Sequence, residues 1–358
     1  MASTVIASNT SAIYFKTQAT VGTAEASSAF AATDAVRVVG TPKFSPRGAG
    51  LIQRTDTMTP FGGGQAVVTG AHGWDVTFQT EFFWDGTIEV GAGGLDQTQL
   101  GPLWKACPFR VVTAGPLAFD VQLAVQSLFA TAGSASRTPD HACQPFTCYY
   151  VETSGKRYAA YDCIAIPKIS AEYGQRIMID WTVKGKWIDP DAYSSVTVIP
   201  APEYPTGQPP LVSTNCNLTL TGYFDGVTAL SKWTFDPGFA LADVGDSREA
   251  TGFGIGLATL ATYPSLEVDV ADLPEGGAGD NLEPDWIYAL NNDVFPTSLV
   301  LQVNVGSNYI QFSLANPQVI AWPTPGETDS HRSITLKFGA IPTADTPTPA
   351  TIYFDGDN

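Results

Sequence analysis

Residues able to do chemistry are spread along this chain without the spacing that catalysis or metal binding requires. The three histidines, His72, His141 and His331, stand far apart in or beside predicted loops, so the sequence places no second base or ligand next to any of them. Cys143 and Cys148 are the closest pair of five cysteines, and no further Cys or His completes a zinc site. We therefore expect no enzyme activity, no metal site and no cofactor.

Two further segments do not match a binding motif. Gly252, Gly254 and Gly256 alternate with apolar residues and lack the spacing and following helix of a dinucleotide loop, so they indicate a strand. The acidic segment 269–285 lacks the Asp-x-Asp-x-Asp-Gly arrangement of a calcium loop. The two catalytic carboxylates of a glycosidase come together only in the folded protein and leave no local sequence pattern, so the interpretation as a carbohydrate-active protein stays open.

The composition favours a folded protein made of strands and turns. The 358 residues are 44% hydrophobic, 11% aromatic and only 15% charged, which suits two ordinary cores and excludes charge-driven disorder. Val, Thr, Tyr and Phe cluster in short runs among abundant Gly and Pro. This balance indicates an all-β fold.

The net charge of −17 comes entirely from the second half of the chain. Residues 1–188 contain 14 acidic and 14 basic residues, whereas residues 189–358 contain 21 acidic and 4 basic residues. Such a surface repels nucleic-acid phosphates, although it also simply favours solubility.

The sequence shows no sign of secretion or of a membrane segment. Residues 1–10 lack the basic and apolar regions of a signal peptide, and no apolar run approaches the roughly 20 residues of a membrane span. An odd cysteine count argues against a disulfide framework. We expect a soluble intracellular protein whose thiols are reduced and mostly buried.

The strands and helices that must position any site follow from periodicity. A short helix is predicted at 100–107, where Pro102 lies in the first turn and Pro108 ends it, and others at 121–130 and 285–290. Residues 42–70 are expected to form a long excursion without regular structure. Strands are predicted at 36–39, 75–84, 146–152, 158–169, 176–188, 217–223, 231–235, 251–261, 265–270, 298–305, 308–314, 333–338 and 351–354.

The order strand, strand, short Trp-containing helix and three strands occurs twice, which indicates a duplicated β unit. Closely spaced prolines between the copies predict a semi-rigid linker. The repeat is carried by three positions at one constant offset, Gly155, Tyr158 and Tyr161 against Gly306, Tyr309 and Phe312. We predict an N-terminal arm (1–35), a first domain (36–190, with an insertion at 110–145), the linker (191–212), a second domain (213–341) and a C-terminal arm (342–358).

The segment 56–187 resembles major tail tube proteins of long-tailed (siphovirus-type) bacteriophages. The resemblance rests on Arg54, Asp56 and the loop Phe61-Gly62-Gly63-Gly64-Gln65, and on the segment 100–109 with its Leu-Gly-Pro-Leu-Trp-Lys-Ala-Cys-Pro-Phe sequence, which contains the predicted helix. Pro108 replaces the usual Gly, and the insertion and the second copy depart from the family pattern.

The resemblance implies two tandem tail-tube-like β-sandwich or barrel domains, each with a short flanking helix and long loops. It further implies a non-enzymatic virion protein, assembled in the host cytoplasm, that polymerises into stacked rings forming a channel for DNA ejection. Family rings contain six such domains, so three chains would give a trimer with pseudo-sixfold symmetry. The expected partners are further copies, the tape measure protein, the tail terminator and the distal tail protein; DNA passes without specific binding, and no membrane is involved.

The loop 42–70, together with its counterpart near 225–250, is our candidate for ring-to-ring contact. Some acidic residues of the second half are expected to face the channel, although the sequence does not indicate which. Two alternatives stay open: another ring-forming virion protein (tail terminator, baseplate or decoration protein) and a carbohydrate-binding β protein. The candidate contact residues are Arg47, Leu51, Arg54, Asp56 and Phe61.

Overall fold

The structure is a computed structural model. It describes residues 11–48, 51–53, 67–69, 72–83, 100–115, 118–123, 144–152, 157–188, 201–202, 211–221, 224–228, 230–243, 245, 257–260, 262–271, 287, 291, 296–305, 308–328, 331–340 and 350–355.

The described elements are predominantly strands, as the β-branched and aromatic runs predict. The helix α1 spans Gly101–Lys105, and two single turns of 3-10 helix span Ser27–Ala29 and Ala32–Asp34. Strands β1 to β11 are Ser11–Thr17, Ala35–Val36, Val39–Gly48, Leu51–Gln53, Val67–Thr69, His72–Glu81, Phe109–Gly115, Ala118–Leu123, Phe146–Glu152, Arg157–Glu172 and Met178–Trp187. Strands β12 to β23 are Cys216–Thr221, Phe224–Thr228, Leu230–Asp236, Phe239–Ala242, Leu257–Leu260, Ser265–Ala271, Ser298–Val305, Asn308–Ala315, Pro317–Val319, Thr324–Thr328, His331–Ala340 and Ala350–Asp355.

The larger sheet contains an antiparallel ribbon that runs through both halves of the chain. Its order is β3-β6-β11-β10-β14-β17-β22-β21. The halves join where the end of β10 pairs with β14, from Ile169 opposite Phe235 to Glu172 opposite Lys232. Strands β9, β1 and β2 extend the sheet from the first part of β10, and β20 also pairs with β22. The sheet is therefore continuous across the predicted linker.

The smaller sheet also combines distant parts of the chain. Its order is β13-β12-β18-β19-β23-β8-β7. Strand β23 lies between β19 and β8, so it attaches the hairpin β7–β8 to strands of the second half. Two separate hairpins, β4–β5 and β15–β16, precede β6 and β17.

One contiguous hydrophobic core serves both halves. Alternation along the ribbon directs Phe78 and Trp181 to the core side, where Trp104 of α1 packs against Trp181 at a ring distance of 5.2 Å. In the second half, Phe312 of β19 packs against Trp233 and Phe235 of β14. The ribbon therefore has one buried face and one face directed away from this core.

The same strand pairings occur twice in chain order. Strand β1 pairs with β9 and β9 with β10, as β12 pairs with β18 and β18 with β19. Strand β3 pairs with β6 and β6 with β11, as β14 pairs with β17 and β17 with β22. Asp162 and Asn316, the two described non-glycine residues with positive φ (50° and 47°), both lie where the chain leaves its hairpin partner. The division into two domains itself stays a prediction.

Most of the predicted strands are confirmed, as is α1, and two expectations are wrong. Residues 42–48 belong to β3, because they pair with β6, and 51–53 pair with 67–69, so the expected excursion contains regular structure. Residues 121–123 of the helix predicted at 121–130 form the end of β8 instead, because they pair with β7 and β23, and residues 124–130 lie outside the described residues. Ile287 is helical, and most of the helix predicted at 285–290 lies outside the described residues.

The predicted N-terminal arm is docked in its described part. Strand β1 pairs with β9 along its whole length, and Ile13, Tyr14 and Phe15 are buried. The C-terminal strand β23 pairs on both sides.

Candidate functional surface

The two described residues of the predicted contact set lie in strands. Arg47 lies in strand β3 and Leu51 in β4, whereas Arg54, Asp56 and Phe61 lie outside the described residues. The inter-ring role of this segment stays a prediction.

Arg47 is a nearly buried residue bound within its own chain. Its guanidinium donates to the carbonyl oxygens of Trp74 (3.3 Å) and Gly185 (3.0 Å) and forms an ion pair with Asp243. Asp243 follows β15 and also lies 3.1 Å from Nζ of Lys184. The two segments expected to mediate ring contacts, 42–70 and 225–250, thus touch each other inside one chain.

The face of the ribbon opposite the core runs through both halves of the chain and is here called the polar face. It follows from alternation, because most buried apolar residues of these strands are flanked by polar residues that point the other way. Strand β10 departs from this pattern before Lys168, where Ile164 and Ile166 are buried on the same side as the polar residues that follow. We define the polar face by Asp75, Thr77, Gln79, Lys168, Ser170, Glu172, Asp180, Thr182, Lys184, Lys232, Thr234, Asp236, Glu267, Asp269, Thr335 and Lys337.

Charged residues of the polar face pair across neighbouring strands. Ion pairs join Lys168 to Asp236 (3.7 Å), Lys232 to Glu172 (3.5 Å) and Lys337 to Glu267 (3.6 Å). The Lys168–Asp236 and Lys232–Glu172 pairs cross the β10–β14 junction, so they link the halves of the chain. Exposed pairs of this kind each contribute only about 0–1 kcal/mol to stability, so their main effect is on the surface potential.

Acidic residues outnumber basic residues on the polar face. Each of its four lysines lies within 3.1–3.7 Å of a carboxylate oxygen. Two further carboxylates accept neutral hydrogen bonds, Asp180 from Gln79 (3.0 Å) and Asp269 from Thr335 (2.6 Å). Lysines beside carboxylates in a net negative surface attract polyanions weakly.

A buried polar cluster, absent from the sequence-based predictions, fixes the segment after β1. Nζ of Lys186 lies 2.9 Å from Oδ2 of Asp162, and the side chains are 2% and 0% exposed. Oδ1 of Asp162 accepts hydrogen bonds from Nε2 of Gln18 (3.1 Å) and the backbone N–H of Gly22 (2.8 Å). The signal in the sequence is a charged residue, Asp162, within the otherwise apolar and aromatic run 158–167.

The described cysteines are free thiols, and Cys107, Cys148 and Cys163 are buried. Burial raises the pKa of the Cys148 and Cys163 thiols well above the ordinary value, and the proximity of the two groups raises the pKa of Cys148 further. These thiols are therefore protonated and poorly nucleophilic at neutral pH.

The described residues offer no metal-binding group of three or more His, Cys, Asp or Glu side chains. His72 packs edge-on against Trp187, His331 lies in β22, and His141 lies outside the described residues. In the part of the chain that the structure describes, no helix has the length and apolar character to cross a membrane. Neither a comparison with protein-family models nor one with curated proteins finds a match.

Proposed function

We propose that this chain is a structural virion protein that polymerises into stacked rings and forms a phage tail tube. The observation that carries the proposal is the polar face, a continuous sheet surface across both halves on which every lysine lies beside a carboxylate. The sequence resemblance of the segment 56–187 to major tail tube proteins supports the same function.

The polar face suits the wall of a DNA channel. DNA must slide past such a wall without binding, and binding to phosphates requires cations that are free to replace the counterions of DNA. Here the ammonium groups are compensated by neighbouring carboxylates, and the acidic excess adds repulsion. We propose that the carboxylates that face the channel include Glu172, Asp236 and Glu267.

The repeated pairing pattern supports two tandem tail-tube-like units in one chain. A ring that needs six units would then contain three chains and have pseudo-sixfold symmetry. Further copies of this chain and the other tail proteins would be its partners in the virion tail.

Electron microscopy of the purified full chain tests the proposal. We expect hollow tubes, or rings whose mass corresponds to three chains. A ring of six chains would overturn the trimer, and single rings that never stack would favour a tail terminator, baseplate or decoration protein. A stable monomer that forms no assembly at any concentration would contradict the proposed function.

A further inference from the structure

The pairing of β10 with β14, which joins the two halves of the ribbon, provides a geometric model for a contact between two copies of the chain. At this internal junction the end of β10 pairs antiparallel with β14, and Ser170 lies opposite Thr234. The hairpin β15–β16 follows β14, and β15 packs against β10. A second junction of the same kind requires one strand equivalent to β10 and another equivalent to β14.

Strands β20 and β21 occupy on β22 the position that β10 occupies on β11. After the bulge at Asp162, β10 pairs with β11 from Ile164 to Ser170, which lies opposite Met178. After Asn316, β20 and β21 pair with β22 from Ala340 to His331. Counting from these two left-handed residues, Ile320 corresponds to Ile166. The pairing of β21 with β22 then places Gly326 at the position of Ser170.

Strand β3 in turn corresponds to β14. Phe44 lies opposite Val76 of β6 as Phe235 lies opposite Leu266 of β17. Lys43 therefore corresponds to Thr234, and the hairpin β4–β5 that follows β3 corresponds to β15–β16.

Both strands lie at the ends of the ribbon. Among the described strands, β21 pairs only with β22, and β3 pairs only with β6. Residues 324–327 are exposed on both faces of β21, and most residues of β3 are exposed or half-buried. Unpaired strand edges of this kind present backbone donors and acceptors to a further chain.

An apolar patch beside β21 lacks the cover that its equivalent has. Ile166 is 9% exposed at the internal junction, whereas Ile320 is 42% exposed. Tyr263 and Trp322 are also exposed, and Trp322 is 65% accessible. Ile320 and the Cβ of Tyr263 both lie within 3.5 Å of the position of a Cβ atom added to Gly339, so these side chains are neighbours.

We propose that β21 of one copy pairs with β3 of a second copy, with Gly326 opposite Lys43, and that the second copy's β4–β5 hairpin covers Tyr263, Ile320 and Trp322. This inference rests on the proposed function, since it names the surfaces through which the copies associate. The internal junction supplies its geometry, and Pro42 and Pro325 restrict indiscriminate pairing because proline lacks a backbone donor.

Cysteine cross-linking of the full chain tests the strand pairing. The double variant Lys43→Cys/Gly326→Cys should form covalent oligomers on oxidation, because each chain offers both positions to different neighbours. Ser170→Cys/Thr234→Cys is the matched control and should cross-link within one chain. Each single variant should stay monomeric on a denaturing gel.

The outcomes separate this inference from the proposed function. Cross-linked products of two and three chains on the denaturing gel, with none larger, support the contact. Tubes or rings of the reduced double variant that do not cross-link on oxidation, while the control pair does, would overturn the contact and leave the proposed function standing. Absence of any assembly in the unmodified chain would overturn both.

A surface substitution gives a second test that does not depend on introduced thiols. Trp322→Lys should raise the concentration needed for ring formation roughly tenfold or more, because a large exposed aromatic side chain is a typical interface anchor. Tyr173→Lys is the matched control, since Tyr173 is 69% exposed and lies outside the proposed contact. Equal assembly of the two variants would overturn the contact.

Discussion

Nζ of Lys186 lies 2.9 Å from a carboxylate oxygen of Asp162, and both side chains are almost completely removed from solvent. Asp162 also has a left-handed backbone, with φ at 50°, at the bulge where β10 changes its pairing. The carboxylate that satisfies Lys186 also accepts hydrogen bonds from Gln18 and Gly22. One buried group thus connects the bulge, β11 and the segment after β1.

Removing one partner of this pair should strongly destabilise the protein. Lys186→Met leaves the Asp162 carboxylate buried without a counter-charge, and we expect a loss of roughly 3–5 kcal/mol in the free energy of unfolding, measured by urea titration. Lys337→Met is the matched control; it breaks the exposed pair with Glu267 and should cost at most about 1 kcal/mol. Equal losses of unfolding free energy in the two variants would show that the buried ion pair stabilises the protein no more than the exposed one.

Neutralising the carboxylates of the polar face should create affinity for DNA. Three of the four lysines of this face, Lys168, Lys232 and Lys337, would lose their carboxylate partners and become free to bind phosphates, with an affinity that falls steeply with salt. Fluorescence anisotropy with duplex DNA at low ionic strength measures this effect. The variant carries three substitutions, E172Q, D236N and E267Q.

The control for that experiment restores the charge balance. Adding K168Q, K232Q and K337Q to the variant returns its net charge to the original value and should abolish binding. Tight DNA binding by the unmodified chain would contradict the role assigned to the polar face.

The buried thiols should make the fold sensitive to alkaline pH. Burial raises the pKa of Cys148 and Cys163 in the folded state, so the unfolded chain ionises first as pH rises. The free energy of unfolding should therefore fall above about pH 9, by roughly 1.4 kcal/mol per pH unit for each thiol. The double variant Cys148→Ala/Cys163→Ala should show a shallower decline, and an identical slope would refute the assignment.

Two glycines with positive φ should respond differently to alanine. A Cβ atom at Gly238, in the connection between β14 and β15, would meet the carbonyl oxygen of Thr262 at 2.4 Å, whereas a Cβ atom at Gly174 would meet open space. Gly174→Ala should cost roughly 1–2 kcal/mol from backbone strain alone. Gly238→Ala should cost clearly more, as measured by thermal unfolding, and the opposite order would contradict the described turn.

Local patterns predicted the elements but not their partners. Polar and apolar residues alternate in β6 and β18, and a proline lies near each end of α1. Each of these patterns spans only a few residues, so the sequence predicts these elements directly. The pairing of β10 with β14, and of β23 with β8, joins segments far apart in sequence and has no local signature. Of the two wrong assignments, residues 42–48 pair with β6, about 30 residues further along the chain, and residues 121–123 lie between their neighbour β7 and the distant β23.

The candidate surface was only partly predictable for the same reason. The acidic excess of the second half is visible in the sequence, but the residues that share one face depend on the register between strands. Arg47 was expected in an exposed loop because Pro42, Pro46 and Gly48 surround it. Its contacts with Gly185 and Asp243 arise from strands that the sequence does not place beside it.

The position of β23 in the smaller sheet sets an order on biosynthesis. Residues 350–355 leave the ribosome after every other described strand, yet they supply the bridge between β19 and β8. The hairpin β7–β8 is therefore translated early and must wait for the last strand before it can join its sheet. A nascent or prematurely terminated chain would leave that sheet without its central bridge, so translation must pass residue 355 before the smaller sheet can close.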